Sequence, residues 1–94
     1  MTKVGFIGAG DIAYLHGEGV LSSPGAELTG IWNRTRSKAE EKAELFGAKV
    51  FDQPEDLIDA VDVVYVLTNM ETHHGFAMQA IEAGKHVLVE KPTA

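Results

Sequence analysis

Short, unbroken apolar runs alternate along this chain with stretches in which apolar residues recur every three or four positions. Lys3-Val4-Gly5-Phe6-Ile7 predicts a buried strand. From Asp11 to Leu21, Ile12, Leu15 and Val20 fall at helical spacing. Ser23-Pro24-Gly25 makes a turn, and Glu27 to Trp32 predicts a second strand. Lys38 to Phe46 is helical, with Ala39, Ala43 and Phe46 on one face and Gly47 placed to end it. Lys49-Val50-Phe51 is a brief third strand. Asp52 is then the expected cap of a helix with Pro54 in its first turn and Glu55 at capping-box spacing. Asp62 to Thr68 holds the run Val63-Val64-Tyr65-Val66-Leu67, a fourth strand. Thr72 to Ala83 is a helix expected to bury Phe76, Ala77, Ala80 and Ile81, closed by Gly84, and His86 to Glu90 is a fifth strand.

Strands alternate with helices, and the strand runs are continuous rather than two-sided. That pattern predicts an α/β fold: a parallel sheet of about five strands with helices on both faces. With 94 residues there is material for one domain and one core. The balance of 8 Lys plus Arg against 14 Asp plus Glu gives a formal charge of −6. An acidic domain is a poor nucleic-acid binder, because phosphate contacts need clustered cations. Cysteine is absent, which removes disulfides and thiolate metal sites and fits a reducing compartment. No leader or membrane-length apolar segment is evident, so a cytoplasmic domain with no membrane partner is expected.

The first strand runs into Gly8-Ala9-Gly10-Asp11-Ile12-Ala13, a G-x-G-x-x-A sequence that also opens the first helix. The first glycine permits a tight turn. The second lets a pyrophosphate approach the backbone, and the small third residue lets helix and strand pack closely. Amides at the helix start then face the phosphates. The strand–turn–helix context is what this motif requires, and it makes the fold Rossmann-like. Asp11 would repel a pyrophosphate, so its side chain is expected to turn outward or to cap the helix.

The second strand ends in Asn33-Arg34-Thr35-Arg36. About twenty residues beyond the glycine motif, NAD-preferring sites carry an acid on the ribose 2′-hydroxyl. Asn33 is neutral. It does not repel a 2′-phosphate, Arg34 can grip one with its planar fork, and Thr35 adds a hydroxyl. NADP is therefore favoured over NAD.

The second half carries Thr68-Asn69-Met70-Glu71-Thr72-His73, then Ala80-Ile81-Glu82-Ala83-Gly84-Lys85-His86-Val87 and Glu90-Lys91-Pro92. Together with the glycine loop and His16, these resemble the N-terminal domain of the Gfo/Idh/MocA oxidoreductases over essentially the whole chain. The resemblance implies hydride transfer between a nicotinamide and a sugar, polyol or related alcohol or carbonyl compound. It implies that Gly8, Gly10 and Ala13 carry the pyrophosphate and that Asn33 and Arg34 face the adenosine ribose. Thr68, Asn69 and His73 would line the crevice near the nicotinamide ribose, with Glu90 and Lys91 at the nicotinamide end and Lys91 catalytic. The family's usual Thr-Pro-Asn reads Thr68-Asn69-Met70 here. The resemblance also implies a C-terminal substrate domain that carries the oligomer interface. Residues 1–94 are thus expected to be the dinucleotide-binding domain of a longer protein, cut before a sixth strand, and inactive alone.

Lys91 has a physical logic of its own. Parallel strands point their C-terminal ends at one edge, where ligands bind. Beside a cationic nicotinamide and away from water, an ammonium is disfavoured, which suits a proton shuttle. A regulatory redox sensor would not need that lysine. An S-adenosylmethionine site would not need the tight glycine turn. His16 is expected to pack near the crevice, and Trp32 to cover the adenine side or pack on a neighbouring helix. His73 and His74 are adjacent and face apart on a helix, so no metal pair is expected.

Overall fold

The computed structural model describes residues 1–68 and 70–89, with backbone alone at Asp11 and at 70–73. Its elements follow the predicted order: β1 (Thr2–Ile7), α1 (Asp11–Ser22), β2 (Ala26–Trp32), α2 (Arg36–Phe46), β3 (Lys49–Val50), α3 (Pro54–Ala60), β4 (Val63–Val66), α4 (Met70–Glu82) and β5 (His86–Val89). The strands form one sheet in the order β3-β2-β1-β4-β5, and every pair is parallel.

β1 is central because both of its faces are apolar and both are covered. Val4 and Phe6 face a core built with Leu28, Ile31, Ala39, Ala43 and Phe46, which brings in α1 and α2. Ile7 faces the opposite core with Leu57, Ile58, Val61, Val64, Val66 and Ala80, under α3 and α4. Phe6 and Ile7 are fully buried, each contributing about 1.5–3 kcal/mol relative to exposure. The Phe6 ring also stacks on Tyr65 of β4, with centroids 5.3 Å apart.

β2 does not run in simple register with β1. Val4 pairs with Leu28, but Gly5 pairs with Gly30, so Thr29 is passed over. This bulge re-aims the rest of the strand. Leu28 and Ile31 reach the α1/α2 core, while Trp32 turns to the α3/α4 side and meets Phe76, with ring centroids 5.3 Å apart. Trp32 Nε1 donates to the Asp52 carbonyl. Trp32 thus packs on α4 rather than on the next helix, α2, and it also reaches the cleft at the strand ends.

Three local expectations are corrected. The α3 cap is Gln53, not Asp52, and its side chain makes no capping bond. The Asp52 carboxylate pairs instead with Arg36, and Pro54 at the helix start needs no amide partner. In α1 the bulky Leu15 is 66% exposed, while Ala13, Gly17 and Val20 face inward. In α4, Ala80 is buried and Phe76 and Ala77 pack partly, but Ile81 is 56% exposed. α4 lies over β4 and the edge strand β5, so the outer flank of its stripe has no sheet beneath it. The helix ends behave as expected. Gly47 and Gly84 both take positive φ, and at α4 Lys85 N–H returns to the Ala80 carbonyl and Gly84 N–H to that of Ile81.

At Gly17, α1 packs directly on the Phe46 ring of α2. A Cβ there would lie 2.4 Å from two atoms of the Phe46 ring. An open helical Gly→Ala change gains about 0.5–1 kcal/mol, but overpacking costs about 1–3 kcal/mol, so the net sign is destabilising. Gly17→Ala is expected to lower the melting temperature by several degrees, with partial recovery in a Gly17→Ala/Phe46→Leu chain. A raised melting temperature would show that the Phe46 ring yields.

Candidate functional site

The C-terminal ends of β1, β2 and β4 open on one cleft of about 240 Å³. Gly8, Ala9 and Gly10 form its floor, Trp32, Asn33, Arg34 and Lys38 one wall, and Leu67, Thr68 and Phe76 the other. Such a cleft, where neighbouring strands of a parallel sheet lead to helices on opposite faces, is where ligands bind in this architecture. Here β1 leads to α1 on one face and β4 to α4 on the other.

The glycine loop is held from both sides. Gly8 N–H donates to the Trp32 carbonyl at 2.7 Å, and Leu67 N–H donates to the Ile7 carbonyl at 2.7 Å. Gly8 has φ +113°, and a Cβ there would meet the Leu67 carbonyl carbon at 2.8 Å and its oxygen at 2.9 Å. Gly10 differs: it has φ −81°, and nothing lies within 4 Å of a Cβ built on it. It precedes α1, where the Ala13 N–H donates back to the Gly10 carbonyl at 3.0 Å and the amides before it lack acceptors within the helix. Ala13 is fully buried beneath the loop, the close-packing role expected of it. Ile12 is half-buried in the same turn and does not line the cleft.

Asn33 sits at the joint between floor and wall. Its Oδ1 accepts the Ala9 N–H at 3.0 Å, and its Nδ2 donates to the Thr35 carbonyl at 3.0 Å. Thr35 is the N-cap of α2 and makes no side-chain capping bond. Arg36, in the same segment, pairs with Asp52 and with Glu40, the latter at 3.3 Å. Arg34 and Lys38 line the cleft with no ion pair among the described residues. The first turn of α2 carries no acid, although acids are the residues a helix N-terminus favours. Lys38 was not singled out as a site residue from sequence. Its signal was present, since a lysine in a helix's first turn opposes the helix dipole.

Thr68 Oγ1 is buried and has no hydrogen-bond partner among the described residues. Thr29 Oγ1, away from the cleft, is likewise buried with no partner among the described residues. His16 packs edge-on against Tyr65, centroids 5.4 Å apart, the packing role expected of it. Tyr14, exposed on α1, has its phenol pushed above the ordinary value by a hydrogen bond to the Glu18 carboxylate. It does not line the cleft. Met70 and His73 fall in the first turn of α4, at the cleft's end of that helix. Asn69, Glu90 and Lys91 lie outside the described residues. No described helix is long and apolar enough to cross a membrane.

Comparison with known proteins agrees with this geometry. The model of the Gfo/Idh/MocA oxidoreductase family, described as an NAD-binding Rossmann fold, matches residues 2–94. Glucose-6-phosphate 3-dehydrogenase of Bacillus subtilis is 39% identical over 94 residues, covering all of this chain and 27% of that protein. GenD2 from gentamicin A biosynthesis, solved in complex with NAD, superposes with a TM-score of 0.91 at 33% identity, over 97% of this chain and 27% of that one. KijD10, a 3-ketoreductase from Actinomadura kijaniata solved with NADP and TDP-benzene, gives 0.88 at 36% identity, over 97% and 29%. The chain thus spans little more than a quarter of the length of these relatives. Both cofactor types occur among them. The chain belongs to the Gfo/Idh/MocA oxidoreductase family, and it is that family's NAD-binding Rossmann region.

Proposed function

We propose that residues 1–94 form the cofactor domain of a dehydrogenase or reductase acting on a sugar or a related alcohol or carbonyl compound, with NADP preferred over NAD. The observation that carries this reading is the cleft that joins the glycine loop, the Thr68 hydroxyl and the Arg34–Lys38 pair. Three features support a dinucleotide there. Gly10 leaves open space where a pyrophosphate would approach, the Thr68 hydroxyl has no partner among the described residues, and Arg34 and Lys38 have no ion pair among them. Bound there, a nicotinamide dinucleotide accepts or donates hydride at C4.

The chain's own residues hold and orient. Gly10 and the first-turn amides of α1 receive the pyrophosphate. Arg34 and Lys38 take the 2′-phosphate, with the Thr35 hydroxyl beside them. By the family resemblance, Thr68, Asn69, Met70 and His73 would border the nicotinamide ribose, and Glu90 and Lys91 would serve the nicotinamide end. Oxidation of a secondary alcohol removes hydride from the carbinol carbon and a proton from its oxygen. Lys91 takes that proton, and returns it in the reductive direction. Of the relatives named above, one is named as a dehydrogenase of glucose 6-phosphate and one as a 3-ketoreductase. This supports catalysis over a regulatory redox module; in this reading a further domain would supply the substrate pocket and the contacts of a homo-oligomer.

Calorimetric titration of the chain with NADP and NAD tests the cofactor reading. NADP is expected to bind more tightly. Arg34→Ala and Lys38→Ala are each expected to weaken NADP by about tenfold, the scale of one charge-assisted hydrogen bond, and NAD by less than about threefold. Tighter NAD binding sinks the preference, and binding of neither sinks the reading.

A further inference from the structure

We propose that Asn33 is a positioning residue rather than the partner of the ribose: its carboxamide clasps the glycine loop to the adenosine-side loop. This deepens, and rests on, the dinucleotide reading above. Discrimination at the ribose 2′ position then falls to Arg34 and Lys38.

Ala9 N–H can only donate and the Thr35 carbonyl can only accept. Asn33 meets the first with Oδ1 and the second with Nδ2, both at 3.0 Å. Flipping the amide would break both contacts, so one orientation is fixed. The side-chain oxygen that would accept a ribose 2′-hydroxyl is thereby directed at the loop. A carboxylate at this position can still accept from Ala9, but it sets a second acceptor against the Thr35 carbonyl. Only the amide closes both ends, which gives Asn33 a reason to be neutral that is separate from any repulsion of a 2′-phosphate.

The clasp has a mechanical consequence. Gly8 N–H already ties the loop to the Trp32 carbonyl. Ala9 adds a second tie one residue on, to the next residue of the same strand end. Two successive amides of the loop are then fixed to β2 and its extension, and Gly10 is carried between that anchor and α1. The loop is set before a pyrophosphate arrives, so less ordering free energy is lost on binding. The bulge at Thr29 makes this possible. It turns Trp32 to the far face and so brings the following residue to the side of the glycine loop.

The test has one readout that needs no ligand. In the unsubstituted chain, amide hydrogen exchange followed by NMR should show the Ala9 amide protected. Asn33→Ala should remove that protection, and Asn33→Asp, which keeps an oxygen for the Ala9 N–H, should restore it. The second readout pairs the side chain with the 2′-hydroxyl. ADP and 2′-deoxy-ADP are titrated into the unsubstituted chain and Asn33→Ala, with thermal melting to show that both are folded. A clasp predicts that both nucleotides weaken by the same factor, about 5- to 10-fold. Weakening of ADP alone identifies a direct ribose contact and overturns the proposal. Weakening of neither, or an unprotected Ala9 amide in the unsubstituted chain, overturns it as well. If the unsubstituted chain binds neither nucleotide, the dinucleotide reading itself fails and takes the positioning role with it, an outcome distinct from the others.

Discussion

Gly8→Ala is expected to lower the melting temperature of the chain by about 15–30 °C and to remove measurable dinucleotide binding. The backbone φ of +113° lies where side-chain-bearing residues are strained, at a cost of about 1–3 kcal/mol. The new methyl would also meet the Leu67 carbonyl carbon at 2.8 Å, its oxygen at 2.9 Å and Thr68 N at 3.2 Å. These are backbone atoms and cannot rotate aside. Relief requires the ends of β1 and β4 to part, which strains the Leu67-to-Ile7 and Gly8-to-Trp32 hydrogen bonds, each worth about 1 kcal/mol. The sum is about 3–5 kcal/mol, and a domain of this size loses about 4–8 °C per kcal/mol. Gly10→Ala is the control. Its φ is ordinary and no atom lies within 4 Å of the added carbon, so melting should change by only a few degrees while binding weakens by about tenfold or more. Circular dichroism melting curves and titration with NADP separate the two. A Gly8→Ala chain that melts within about 5 °C of its parent would show that the loop accommodates a side chain.

That contrast shows what the sequence makes legible. The spacing of Gly8, Gly10 and Ala13 predicts three different roles, and each has a separate physical basis in the structure: a tight turn, an open approach and a buried contact. The alternating elements and the parallel sheet were also readable, because continuous apolar runs mark strands covered on both faces. Small inward residues were less readable. Ala13 and Gly17 line the inward face of α1 while Leu15 is exposed. A search for bulky residues at helical spacing favours the wrong side when helices pack closely. The bulge at Thr29 leaves no local mark, since it is decided by pairing with β1 rather than by the run itself. The Asn33 clasp and the Arg36–Asp52 pair depend on which loops meet across the sheet edge, and residues 24 or 16 positions apart in sequence do not announce that meeting. Lys38 differs from them: a lysine in the first turn of a helix was visible in the sequence, but that it lines the cleft was not.

In the protein that carries this chain, Lys91→Met is expected to lower kcat by about 10²–10⁴, the range for removing a general acid–base group, while the dinucleotide Kd stays within about threefold. β5 runs parallel to β4, with Val89 beside Val66, and Val66 leads directly to Leu67 and Thr68 in the cleft wall. The chain therefore leaves β5 at the edge of the sheet where the glycine loop lies, and two residues later comes Lys91. Its neighbour Glu90 adds a negative charge, but the strand reaches that edge through His86-Val87-Leu88-Val89, a segment with no acid of its own. The distinction between a proton shuttle and a fixed positive charge is experimental. Lys91→Arg keeps the charge but cannot take up or release a proton, because a guanidinium does not deprotonate in proteins. A shuttle predicts that arginine rescues little of kcat, and that the rise of the oxidative rate with pH in the parent enzyme disappears in both variants. If arginine restores the rate, Lys91 acts as a charge that orients the substrate oxygen. If Lys91→Met retains kcat within tenfold, the proton is handled by another group, and Lys91 has no part in the reaction.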